Sequence, residues 1–189
     1  PKDSILSQIE AQKRSISTKW KDGLYISYFQ AGTNTYAPLE KLKILYQTAL
    51  LPKDVVGLAI ATRSDCLTDD TIDYLQELSK QTYLTIELGL QTIHDTTAEY
   101  IHRGHTFKQF LDTYYKLQSK GLNVCIHIIN GLPNETYSMM LQTAKAIAEL
   151  KPHSIKIHML HVLKGTKMAE QYLNGEFEML SLPEYATIV

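Results

Sequence analysis

Cysteine is nearly absent: Cys66 and Cys125 are the two in 189 residues. That is too few for the disulfide framework of a small secreted domain, and it favours a reducing, cytoplasmic setting. No apolar run is long enough to cross a bilayer and no signal peptide opens the chain, so no membrane partner is expected. Net charge is scarce as well. The 19 Lys and Arg stand against 20 Asp and Glu, leaving a formal charge of -1. No global basic field therefore invites nucleic acid, although a local basic patch stays open. There is no initiator Met before Pro1, and the chain stops at Val189 soon after a helix-start signal. Both ends look like those of a piece cut from a longer protein. The length suits one sizeable core, and no composition shift divides 1–189 into two domains.

What the chain does contain is alternation. In Tyr83–Gln91, Leu84, Ile86, Leu88 and Leu90 point one way, while Thr85, Glu87, Gly89 and Gln91 point the other. Further strands are expected over Leu24–Ala31, Val55–Ala61, Leu122–Ile129 and Ser154–Val162. Helices are expected over Ser4–Trp20, from Pro38 to Pro52, from a Thr68 cap to Lys80, and from a Thr106/Gln109 capping box to Gly121. Another runs from an Asn134 cap to Leu150, and short ones end near Gly175 and open at Pro183; Gly104 suits a helix C′ position. Strand starts recur roughly every 30 to 40 residues, the length of a βα unit. Repeated strand, loop and helix means a parallel sheet with helices outside.

Parallel strands buried on both faces usually read as continuous aliphatic runs. Here a second row is small or polar: Ser27, then Gly57, Ala59 and Ala61, then Glu87 and Gln91, Cys125 and His127, Lys156 and His158. A partial TIM-type α/β barrel, open at one side with a solvated interior, explains that row; a doubly wound open sheet is the competing fold. Either way, function is expected at the carboxyl ends of the strands.

Four pieces at those ends occur in order: Tyr28–Tyr36, Glu87–Thr92, Arg103-Gly104-His105 and His127–Glu135. Together they resemble the radical S-adenosylmethionine (SAM) superfamily. The closest resemblance is to the branch shared by the Elongator catalytic subunit and oxygen-independent coproporphyrinogen oxidase, and within it to an uncharacterised bacterial group. The resemblance implies SAM, a four-iron, four-sulfur (4Fe-4S) cluster held by Cys-x3-Cys-x2-Cys, and an electron donor such as flavodoxin or ferredoxin. It also implies a 5′-deoxyadenosyl radical that abstracts hydrogen from a substrate, with tRNA and small metabolites as candidates. The cysteine motif is missing here, and Cys66 and Cys125, 59 positions apart, cannot replace it. This piece is expected to lack the radical chemistry alone.

By position, the resemblance places Gln91 and Arg103 on ribose and the methionine carboxylate. Arg can grip a carboxylate with two parallel hydrogen bonds. It places Gly32, Thr33 and Asn34 near the methionine amine, although the usual Gly-Gly-Glu is absent. His127 falls where coproporphyrinogen oxidases have an acidic ribose contact. The resemblance also places Ile129–Pro133 on adenine, with Gly131 allowing close backbone approach, and Leu163 with Gly165-Thr166 near it.

Plainer roles compete. Gln91 can cap or satisfy backbone groups, and Arg103 suits a helix C-terminus. Glu87 suits an interior hydrogen bond, Cys125 a core position, and Asn130–Asn134 a simple turn. Two other function classes stay open. His127, His158 and His161 suggest a metal-dependent lyase or hydrolase, weakly, because His158 and His161 differ in strand parity and no His-x-His pair supports them. A non-catalytic nucleotide-binding module is the other.

Overall fold

The computed structural model describes residues 4–20 and 22–189. Hydroxyls set where most helices begin. Ser4, Thr68, Thr106, Thr136, Thr166 and Ser181 each accept a hydrogen bond from a first-turn amide, satisfying donors that a helix leaves free. The helices are α1 (Ile5–Ser17), α2 (Leu39–Ala49), α3 (Asp69–Ser79), α4 (Asp95–Tyr100), α5 (Phe107–Ser119), α6 (Tyr137–Leu150), α7 (Lys167–Leu173) and α8 (Leu182–Ile188). The strands are β1 (Tyr25–Phe29), β2 (Val55–Arg63), β3 (Tyr83–Gln91), β4 (Asn123–Asn130) and β5 (Ser154–Met159). A 3-10 turn over Ser64–Cys66 follows β2. Among the described residues no helix is long and apolar enough to cross a membrane.

The five strands are parallel and lie in chain order, β1-β2-β3-β4-β5. The aliphatic rows Leu58 and Ile60, then Leu84, Ile86, Leu88 and Leu90, and Val124, Ile126 and Ile128 pack beneath the helices. They meet Tyr46 of α2, Leu75 of α3, Phe110 and Tyr114 of α5 and Ile147 of α6. The other row faces a hollow, and the sheet curls tightly around it. A flat sheet of five strands would separate its outer strands by about 19 Å. Yet Lys156 Nζ of β5 reaches Tyr28 Oη of β1 at 3.3 Å. The architecture is an α/β half-barrel, a partial TIM-type barrel with helices outside.

Several local expectations need correction. Ser27 does not line the hollow: its hydroxyl donates to the Ala49 carbonyl of α2, and its β1 neighbour Phe29 packs edge-on against Tyr46. Tyr28 carries the inward parity instead. Asn134 does not cap α6. It sits at φ 66°, and Thr136 provides the cap two residues later. Gly104 is not the residue that ends α4, because His102 (φ 52°) takes the left-handed position after that helix. Gly104 is needed for its own left-handed backbone, φ 88°, and a Cβ there would also crowd the Arg63 guanidinium. Finally, β2 runs on to Arg63, and β5 ends at Met159 rather than Val162.

Candidate functional site

The β3–β4 ladder breaks next to the residues of interest. Gly89 pairs with His127, but Gln91 pairs with Ile128, so one residue is extra on β3. Bulges of this kind re-aim a side chain. Gln91 completes the turn in a left-handed conformation, φ 72°, which is costly for a residue with a side chain. As a result its carboxamide folds back over Gly89. A Cβ at Gly89 would lie 2.5 Å from Arg103 Nη2 and 2.9 Å from Gln91 Nε2. The missing side chain is the seat on which both groups rest.

Arg103 donates to the Gly89 carbonyl, while its Nε is sealed from solvent with no hydrogen-bond partner. No carboxylate forms an ion pair with it among the described residues. Its neighbour Arg63 has one, gripping Asp65 with Nε at 2.9 Å and Nη2 at 2.5 Å. Burial, reinforced by repulsion from Arg63, pushes the Arg103 guanidinium down to about 10. A cation held this way is poised for an anion. His105 Nε2 nearby is likewise buried without a partner, and burial and then Arg103 press that imidazole toward its neutral form.

One residue pair deeper in the hollow sits Glu87, 7% exposed. Its Oε2 collects Tyr28 Oη at 2.5 Å, Lys156 Nζ at 2.6 Å and His127 Nε2 at 2.8 Å. Burial raises the carboxyl, but the bonds from Lys156 and Tyr28 win and hold it below its ordinary range. Lys156 also stands 4.4 Å over the Tyr28 ring. The result is a buried, ionised carboxylate whose Oε2 ties β1, β3, β4 and β5 together.

The loop residues have more local work. Asn34 Nδ2 donates to the carbonyls of Phe29 (2.8 Å) and Ala61 (2.9 Å), pinning the loop after β1 onto the ends of β1 and β2. Thr33 precedes it half-buried, and Gly32 supplies φ 74° in open space. Gly131, at φ 83°, lies against Leu180, and a Cβ would stand 2.9 Å from Leu180 Cδ1. Ile129 packs beside Leu132, Leu160 and Phe177. Leu163 is 67% exposed, and Thr166 caps α7. The structure thus brings together Gln91, Arg103 and His127 and leaves Gly32–Asn34, Ile129–Gly131 and Leu163 on surrounding loops. Sequence reasoning misses Tyr28 and Lys156 as site residues, although the inward parity of Lys156 is legible in the alternation of β5.

The donor atoms of Glu87, Cys125 and His127 lie within 4.8 Å of one another. The Lys156 ammonium already stands on the carboxylate, so a metal ion would have to displace a cation. His158 faces the His127 ring at 5.2 Å but is exposed, and His161 lies past the end of β5. The predicted histidines therefore form no ligand set among the described residues. Nor do the cysteines fit an iron–sulfur cluster, which is held mainly by clustered thiolates. Cys125 is buried within β4, Cys66 sits on the 3-10 turn, and burial pushes both thiols up.

Residues 2–147 match the Radical SAM superfamily family model, and residues 152–189 match that of the Radical_SAM C-terminal domain. The chain is 51% identical over 187 residues to the uncharacterized protein YtqA of Bacillus subtilis, covering 99% of this chain and 58% of YtqA. It is 32% identical to the tRNA uridine(34) acetyltransferase of Methanocaldococcus jannaschii over 65% of this chain and 23% of that protein. Among solved structures, Elp3 of Methanocaldococcus infernus superposes with TM-score 0.75 at 23% identity, covering 93% of this chain and 45% of that one. HemN, the coproporphyrinogen III oxidase of Escherichia coli, superposes with TM-score 0.66 at 16% identity, covering 97% and 43%. The chain thus spans little more than half the length of YtqA.

Proposed function

The chain belongs to the radical SAM superfamily, and from that premise we propose that its half-barrel is the SAM-holding part of a longer radical enzyme. SAM supplies the 5′-deoxyadenosyl group from which hydrogen-abstracting chemistry starts. This chain's residues bind and orient it. Arg103 takes the methionine carboxylate, and the observation that carries this assignment is its buried guanidinium with, among the described residues, an unpartnered Nε and no ion pair. Gln91 and His127, on either side of Gly89, face the ribose. Ile129–Gly131 and Leu163 flank the adenine, and the Gly32–Asn34 loop, stapled by Asn34, approaches the amine. Within the curled sheet Glu87 is 7% exposed, and that burial strengthens its polar contacts.

The 4Fe-4S cluster has no fitting ligands in this chain, so its cysteines belong to the longer protein. The substrate belongs there too. A tRNA is one candidate, supported by the similarity to a tRNA acetyltransferase, and a small metabolite is the other. The unpaired thiols support a reducing, cytoplasmic setting. The test is to reconstitute the longer protein with iron and sulfide, reduce it with dithionite, and measure 5′-deoxyadenosine from SAM. Formation that falls at least tenfold in Arg103→Met supports the assignment. A correctly folded, cluster-loaded protein that forms none refutes the radical reading. SAM binding without turnover would leave a nucleotide-binding module.

A further inference from the structure

His127 occupies the β4 position paired with Gly89, beside the Gln91–Arg103 seat, and its Nε2 is 2.8 Å from Glu87 Oε2. An ionised carboxylate accepts hydrogen bonds and cannot donate one. Glu87 is held ionised by Lys156 and Tyr28, so the hydrogen in its contact with His127 must sit on Nε2. The groups facing the imidazole are Glu87, Lys156 and His158. Burial, Lys156 and His158 disfavour a second proton, and together they outweigh Glu87. A neutral ring protonated on Nε2 leaves Nδ1 bare. Among the described residues nothing donates to that nitrogen.

We propose that Glu87 is a positioning residue: by holding the Nε2 proton of His127 it makes Nδ1 an obligate acceptor for a ligand hydroxyl, one of the ribose pair if the ligand is SAM. The proposal rests on the SAM-site assignment for the identity of that ligand, and on the Glu87–His127 geometry alone for the tautomer. A histidine in the opposite tautomer would present a donor to the hydroxyl and set a bare Nε2 lone pair against the ionised Glu87 carboxylate. Lys156 and Tyr28 thus act at second hand, by keeping Glu87 charged.

Nitrogen-15 NMR of chain labelled at histidine and arginine reads the tautomer directly, with His127 assigned by its loss in His127→Gln and Arg103 by its loss in Arg103→Met. At neutral pH the expected spectrum shows a protonated Nε2 and an unprotonated Nδ1. Glu87→Ala should mix the tautomers and weaken S-adenosylhomocysteine about tenfold, as loss of one oriented hydrogen bond would. Lys156→Met, which leaves the carboxylate and its Tyr28 bond in place but removes the cation that keeps it charged, should loosen the tautomer less than Glu87→Ala does. Saturating S-adenosylhomocysteine should shift the wild-type Nδ1 signal, and 2′,3′-dideoxyadenosine should not. A wild-type ring protonated on Nδ1, or on both nitrogens, overturns the proposal. So does an Nδ1 signal that ignores S-adenosylhomocysteine while the Arg103 guanidinium signals respond, and that result leaves the SAM site standing. If neither residue responds, the SAM-site assignment itself fails and the ribose claim falls with it.

Discussion

Gly89→Ala adds one methyl group at the point where the site is seated. The new carbon would stand 2.5 Å from Arg103 Nη2 and 2.9 Å from Gln91 Nε2, well inside the roughly 3.5–4.0 Å that non-bonded heavy atoms prefer. The strand cannot yield, because Gly89 is paired with Arg63 on one side and His127 on the other. The side chains must move. Overpacking costs about 1–3 kcal/mol, and the low end applies because the guanidinium can swing outward. A carboxylate ligand would then meet a displaced donor, losing about 1.5–3 kcal/mol, or roughly 10- to 150-fold in affinity. Calorimetric titration with S-adenosylhomocysteine, beside urea unfolding, separates the two effects. A folded Gly89→Ala chain that binds within about twofold of wild type would refute the claim that Gly89 seats the ligand-gripping pair.

Arg103→Lys keeps the charge but loses the fork, so ligand affinity should fall at least about tenfold in the same titration, with little change in stability. Gln91→Gly should relieve a left-handed backbone worth about 1–2 kcal/mol, partly offset by greater unfolded-chain entropy; the urea midpoint should not fall while binding weakens. Glu87 supplies a pH signature. Its folded pKa lies below its ordinary value, so its contribution is complete above the unfolded pKa and is lost as pH falls through the folded one. The stability gap between wild type and Glu87→Gln, from urea melts, should be flat from about pH 7 to 5.5 and close below about pH 4. A gap that widens on acidification would show that Glu87 is not held ionised.

Much of the half-barrel was legible because helix caps and strand parity are local. The Thr106/Gln109 box, the Thr68 cap and the alternation in Tyr83–Gln91 all stand in the structure. Ser27 misled because a small polar residue matches an inward row by type, while its hydroxyl is satisfied by a helix carbonyl that no local pattern announces. Asn134 misled because asparagine suits both an N-cap and a left-handed turn. The convergence of Gln91 and Arg103 was anticipated by position. Its physical basis, a bulge plus an empty glycine seat, depends on strand register, which the sequence does not display. The Tyr28–Glu87–Lys156 contact was equally out of reach, since it depends on how tightly the sheet curls.

Strand order that repeats chain order has a consequence for how the polypeptide matures on a ribosome. Each new strand pairs with the one made just before it, so no early segment must wait for a distant partner. The growing sheet extends from a single advancing edge, and each new helix covers that edge's apolar face soon after it emerges. The contacts from Lys156 to Tyr28 and Glu87 cut across this sequence, joining residues 128 and 69 positions apart. Curling the sheet into a working hollow is therefore a late event, made when the last strand is already in place.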